Sequence, residues 1–164
     1  MNSGTIFFLC VILSYFFFGW MAKAYLVPWA KKRPREQALT PLLVINGTRY
    51  AGLAFLVPGV VSTNLPQAFA KPAAYGDLLV AVLAMMALFA LRKKWRFAIA
   101  LVWLFNLVGA GDLVNAFYLG FVNRITPGSL SAMFFVPTVA VPAFFWVHLV
   151  IFWLLLRSST KMEK

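Results

Sequence analysis

The sequence predicts an all-α, polytopic bundle of transmembrane helices, and three observations carry that expectation. Hydrophobic residues make up 63% of the chain and charged residues only 12%, a balance outside that of soluble globular domains. The apolar residues gather in runs of about 20, the length that crosses a hydrocarbon core. The basic residues fall mostly between those runs.

The first run, MNSGTIFFLCVILSYFFFGWMAKA, imitates a secretory signal, because Ala22-Lys23-Ala24 fits a small-x-small cleavage pattern. No basic residue precedes its apolar core, and that core is longer than the roughly 7 to 15 residues of a signal. It is therefore read as the first span, residues 4–27. Four more spans are expected at 40–61, 74–91, 97–121 and 134–157, joined by PWAKKRPREQALT, STNLPQAFAKP, RKKWR and NRITPGSLSAM. Pro58-Gly59 and Pro66 can end the second early, and Pro137 and Pro142 are expected to kink the fifth. Four spans with one re-entrant segment is the alternative. Either way residues 1–164 form a single membrane domain.

The 15 Lys and Arg against 4 Asp and Glu admit nucleic acid, anionic lipid or topology as explanations. Their placement decides. Lys23, Lys31, Lys32, Arg33 and Arg35 follow the first span; Arg92, Lys93, Lys94 and Arg96 follow the third; Arg157, Lys161 and Lys164 follow the fifth. The opposite side holds only Lys71 and Arg124. The positive-inside rule then puts the N-terminus outside and the C-terminus in the cytoplasm, in a plasma (inner) membrane. Threading explains the surplus without nucleic acid, and contact of the cytoplasmic loops with anionic headgroups of the lipid bilayer follows from it. Trp20, Trp29, Trp95 and Trp153 sit near the cytoplasmic ends as interfacial anchors. Cys10 is the only cysteine, so neither an intrachain disulfide nor a cysteine-based metal site is expected.

A charge at the centre of a span costs about 2.5 to 3.5 kcal/mol on insertion scales, so each one should face protein, water or a partner. Asn46, Arg49, Asn106, Asp112, Asn115 and His148 form the expected intramembrane polar set, with Asp77 beside them. Asn46 and Arg49 share a helical face; Arg49 either snorkels to the interface or pairs with a carboxylate. Asp77, after Pro72 and Gly76, is expected to cap the third span at the outer interface. Alanines 81, 84, 87 and 90 favour close helix contact.

Asp112 lies too deep for a cap, and an Arg49–Asp112 pair is the leading structural explanation for its survival in the membrane. Gly109 and Gly111 beside it could permit a break, and a locally tightened helix would align Asn106, Gly109, Asp112 and Asn115. His148, the only histidine, is either a packing residue or a proton carrier. Depth suggests two layers: Arg49, Asn106 and His148 toward the cytoplasm, and Asp77, Asp112 and Asn115 toward the exterior. One histidine cannot supply a multi-histidine metal or haem site, and no metal or cofactor is expected.

The strings AAYGDLLVAVLA and GAGDLVNAFYLG share a Gly-Asp-Leu core on consecutive, oppositely directed spans, as an inverted repeat would. The pattern W-x-x-N-x-x-G-x-x-D-x-x-x-A, carried by Trp103, Asn106, Gly109, Asp112 and Ala116 with Pro137 and His148 downstream, resembles the final helices of small, uncharacterised multi-pass membrane proteins of bacteria. That resemblance implies membrane residence and no activity.

Three functions compete. The first is a small transporter or channel, expected as a homo-oligomer because five helices make a thin wall, that uses the Asp112, Arg49 and His148 cluster. The second is a structural or accessory subunit of a larger membrane complex, with the same residues fixing helix packing. The third, a lipid- or isoprenoid-modifying enzyme, finds no Gly-x-Ser-x-Gly elbow, no His-Glu-x-x-His pair, no paired acidic motif and no phosphate loop to support it.

Overall fold

Asn2 starts the first helix: its Oδ1 accepts from the backbone N–H of Thr5 at 2.8 Å and from the Thr5 hydroxyl at 2.9 Å, satisfying donors that a helix N-terminus leaves free. In this computed structural model, which describes residues 1–157, α1 (Ser3–Met21) passes through a π-helical turn, Ala22–Leu26, into α2 (Val27–Lys31). Next come α3 (Arg35–Gly47) and a 3-10 segment, Thr48–Leu56. Two long helices succeed them, α4 (Gln67–Arg92) and α5 (Ala98–Val122). Last are short α6 (Pro127–Leu130), a 3-10 turn Ser131–Phe134, a second π-helical turn Val136–Ala140, and α7 (Val141–Leu156). Among the described residues the only strand-like feature is an isolated bridge between Pro58 and Val61.

Both π-helical turns are five residues long and end two residues before a proline, Pro28 in one case and Pro142 in the other. A proline lacks the N–H that an α-helix uses and crowds the carbonyl a turn earlier, so a widened turn lets the helix continue. The expected kink at Pro137 and Pro142 takes this form.

Among the described residues four helices are long and apolar enough to cross a membrane: Ser3–Lys31, Gln67–Arg92, Ala98–Val122 and Val136–Leu156. The expected span at 40–61 is not one of them. Its helical part begins earlier, carries Arg35, Glu36 and Arg49, and changes from α to 3-10 at Thr48. This broken segment nevertheless tracks α4 in the opposite sense. Glu36 and Gln37 share a cleft with Leu91 and Lys94, Gly47 meets Met85, and the Phe55 ring lies edge-on to Phe69 with centroids 5.7 Å apart.

The core sits where α3, α4, α5 and α7 meet. Ala81, Ala84, Ala87 and Ala90 are fully buried along α4, and small side chains there let the neighbouring helices close in. Leu39, Leu43, Val102, Phe105, Ile151 and Leu154 fill the space above them. Helix α1 is peripheral, with none of its residues buried. Its Gly19 receives the Trp146 indole, whose Nε1 donates to the Tyr15 carbonyl at 2.9 Å.

The two ends of the bundle differ in charge. Arg157 reaches the Lys31 carbonyl, and Pro34 lies beside Lys94, so the basic residues after α2, α4 and α7 share one end; Lys161 and Lys164 lie outside the described residues. At the other end, the connection after the 3-10 segment is tied to the α6 region: Ser62 N–H donates to Ser129 O and Ala132 N–H to Val60 O. Helices α4 and α5 finish alike. Lys94 and Arg124 take left-handed backbone angles, φ 54° and φ 50°. Trp95 and Ile125 then donate back to the carbonyls of Ala90 and Gly120, a Schellman closure with a basic residue where glycine is usual.

Candidate functional site

Three residues per turn eclipse side chains at i and i+3, so the 3-10 segment brings Arg49, Gly52 and Phe55 onto one buried face. That face meets α4 and α5. The 1%-exposed Arg49 side chain donates from Nε to Asp77 Oδ1 at 2.7 Å and from Nη2 to Asp112 Oδ2 at 2.5 Å. Its Nη1 points to His148 Nε2 at 3.3 Å, and the guanidinium carbon stands 5.3 Å from the Phe144 ring centre. One arginine thus serves three elements through the three corners of its planar fork.

The hydrogen bonds fix the His148 tautomer. Arginine only donates, so Nε2 accepts and the proton sits on Nδ1, which donates to Asn106 Oδ1 at 2.7 Å. Asn106 Nδ2 donates in turn to the His148 carbonyl at 3.2 Å. Asn106 and His148 are therefore mutually saturated on facing helices, with the Phe105 ring tilted over the imidazole at 5.4 Å. Gly109 makes the approach possible: a Cβ there would collide with the His148 ring and press Val80 Cγ1 at 3.1 Å.

The structure gathers Arg49, Asp77, Asn106, Asp112 and His148 into one network rather than two layers. Asp77 is not a cap. Pro66 holds the cap position of α4, Pro72 is accommodated inside the helix, and Asp77 lies about three turns in, paired with Arg49. Asn115 is exposed and outside the network. Asn46 is fully buried but bonds only to the Leu42 carbonyl of its own helix, at 2.8 Å, and its Oδ1 has no protein donor among the described residues. The break or tightening that the sequence permits around Asp112 is absent, since α5 is regular α-helix from Ala98 to Val122. It occurs in the facing segment instead.

Gly52 and Gly76 were missing from the sequence-derived set. A Cβ on Gly52 would fall within the Asp77 carboxylate, and one on Gly76 within the Asp112 carboxylate. Each glycine therefore provides the room in which a neighbouring helix seats its charge. The Gly-Asp strings of α4 and α5 are not reciprocal in this respect, because nothing lies near Gly111. No sequence period links Gly52 to Asp77, so the signal was not local.

With one arginine and two aspartates, the network carries a formal charge of −1 when all three are ionised. The Asp77 and Asp112 side chains keep 16% and 12% of their surface exposed, and that surface faces a cavity of about 590 Å³. Phenyl rings line it from α1 (Phe7, Phe8), the 3-10 segment (Phe55), α4 (Phe69) and α5 (Phe117, Phe121). It opens toward the sparsely charged end, where Arg124 and Pro127 border it. An apolar chamber closed by a small polar floor is the usual form of a small-molecule site.

No curated protein and no solved structure matches the chain. A family model described as a domain of unknown function (DUF8737) matches residues 6–156, a span that includes every residue of the Arg49 network, and the chain belongs to that family.

Proposed function

We propose that this protein is a small carrier or channel of the plasma membrane, acting as a homo-oligomer, in which the Arg49 network forms the polar floor of the solute cavity. One observation carries the reading: Asp77 and Asp112 both pair with Arg49 and both face the same apolar cavity. Ionisable groups within spans mark solute and proton pathways. A floor of formal charge −1 accepts one proton or one cation, and this gives the site two states to alternate between.

The chain crosses the membrane five times, with its N-terminus outside and the basic end in the cytoplasm. The broken segment Arg35–Leu56 supplies the extra crossing, since it runs the depth of α4 in the opposite sense. The concentration of Lys and Arg at one end supports the orientation. Peripheral α1, which borders the cavity without being buried itself, leaves a second copy room to complete the wall.

The test is proton movement in proteoliposomes loaded with a pH-sensitive dye and given a proton gradient with a membrane potential. The reading expects dissipation faster than in empty liposomes and its loss in Asp112→Asn. Wild-type protein indistinguishable from empty liposomes would overturn it. A second reading, an accessory subunit, is favoured by the mutual saturation of Asn106 and His148, which serves packing as well as transport. Copurification with a stoichiometric partner distinguishes that role.

A further inference from the structure

The cavity has a chemical character that the transport reading leaves unused. Arg49 borders the cavity too, but only 1% of its side chain is exposed against 16% and 12% for Asp77 and Asp112, so the floor presents mostly aspartate. Each aspartate commits one oxygen to Arg49. The other oxygen of each has no protein donor among the described residues. These oxygens, Asp77 Oδ2 and Asp112 Oδ1, pack against Gly52 and Gly76, which carry no side-chain donor, so a donor that enters the cavity would complete the hydrogen bonds of the carboxylates.

The walls point the same way. Phenyl faces carry negative quadrupole charge and attract cations as well as apolar chains. Arg124, the one basic side chain at the mouth, is exposed at the far end of α5, about 18 Å from Asp112 along the helix. It does not neutralise the floor.

The cavity is also open sideways. Helix α1 rests on α6, α7 and the π-helical turn before α7, and the chamber occupies the space between α1 and α5. Phe8 and Phe121 border that space and are 66% and 85% exposed on the lipid-facing surface.

We infer that the cavity binds an amphipathic molecule with an ammonium head and an apolar body, the head on Asp77 and Asp112 and the body along the phenyl walls. This names the substrate class of the carrier reading and rests on that reading for the translocation of the bound molecule; binding itself is tested directly.

Three radiolabelled probes with one alkyl chain and different heads, dodecylammonium, dodecanol and dodecanoate, are equilibrated with the full chain in nanodiscs, with empty nanodiscs as blank. Saturable binding of dodecylammonium about ten-fold or more tighter than dodecanol is expected, with dodecanoate weakest. Asp112→Asn should weaken dodecylammonium about ten-fold and leave dodecanol unchanged. Ala116→Trp, which narrows the cavity from a position outside the Arg49 network, should weaken both. Equal binding of dodecanol and dodecylammonium, a preference for dodecanoate, or indifference to both substitutions overturns the inference. Ammonium-selective binding without proton flux sinks the carrier reading and leaves this inference standing; flux without that selectivity does the reverse.

Discussion

Arg49 Nη2 stands 2.5 Å from Asp112 Oδ2 while its Nε stands 2.7 Å from Asp77 Oδ1, so one guanidinium holds two helices to the 3-10 segment. Removing it leaves two half-buried carboxylates with no counter-charge. Arg49→Ala should destabilise the protein by about 3 to 5 kcal/mol, as breaking a buried pair does. Arg49→Lys should rescue little, because an ammonium is a point charge and cannot fork toward three partners. Unfolding titrations of Arg49→Ala, Asp112→Asn and the double variant check this. The double variant should be less destabilised than the sum of the singles, and strict additivity would count against a direct pair.

Glycine positions offer a sharper contrast. Gly52→Ala and Gly76→Ala each place a methyl group inside an aspartate carboxylate, and each should cost about 1 to 3 kcal/mol through overpacking. Gly111→Ala, one residue from Asp112 but in open space, should be neutral or gain about 0.5 to 1 kcal/mol from helix propensity. Melting temperatures of the three in one detergent decide the matter. Equal behaviour of Gly76→Ala and Gly111→Ala would refute the proposed seating of Asp112.

The imidazole of His148 should carry its proton on Nδ1. Nitrogen chemical shifts of selectively labelled histidine report the tautomer directly, and His148 is the only histidine in the sequence. Asn106→Leu removes both partners of His148 on α5, leaving the Nδ1 proton and the His148 carbonyl without their Asn106 bonds. A loss of about 1 to 3 kcal/mol is expected for the unpaired Nδ1 proton, since the His148 carbonyl keeps its place in the α7 ladder, together with loss of the single tautomer. A proton found on Nε2 in the wild type would contradict the Arg49 contact.

Two substitutions should stabilise the fold. Asn46 is wholly buried and its Oδ1 has no partner among the described residues, so Asn46→Leu removes a desolvated polar atom and should raise the melting temperature. Lys94 holds a left-handed angle at the end of α4, and Lys94→Gly should gain about 1 kcal/mol by relieving the Cβ clash, less the lost interaction with the helix dipole. A fall in melting temperature for either variant would show that the position has a role beyond its local geometry.

Much of the architecture was legible in the sequence because apolar run length and charge placement are averaged over many residues. The helices containing Asp112 and His148 appear near their expected positions, and the Ala81 to Ala90 stripe packs as its spacing implies. What escaped was decided by contacts between distant segments. Pro72 and Gly76 read as the edge of a span, yet the alanine-rich face of α4 stays buried against its neighbours past both of them, and this places Asp77 inside the helix. The tightening of Thr48–Leu56 has no propensity signature; it accompanies an arginine that meets carboxylates on two other helices. Gly109 and Gly111 drew attention to the wrong segment, because glycine marks either a bend or a close approach, and at Gly109 it marks the approach of His148.

The 3-10 segment also alters the reach of its chain. At about 2.0 Å of rise per residue instead of about 1.5 Å, Thr48–Leu56 covers about 18 Å where an α-helix would cover about 13.5 Å. Arg35–Leu56 is thereby drawn out to about 37 Å, nearly the length of α4, with four fewer residues. A hydropathy window counts residues, whereas a bilayer is measured in ångströms. A stretched segment of 22 residues can thus nearly match the reach of a 26-residue neighbour, while the break at Thr48 and the charges of Arg35, Glu36 and Arg49 keep it from forming one long apolar helix.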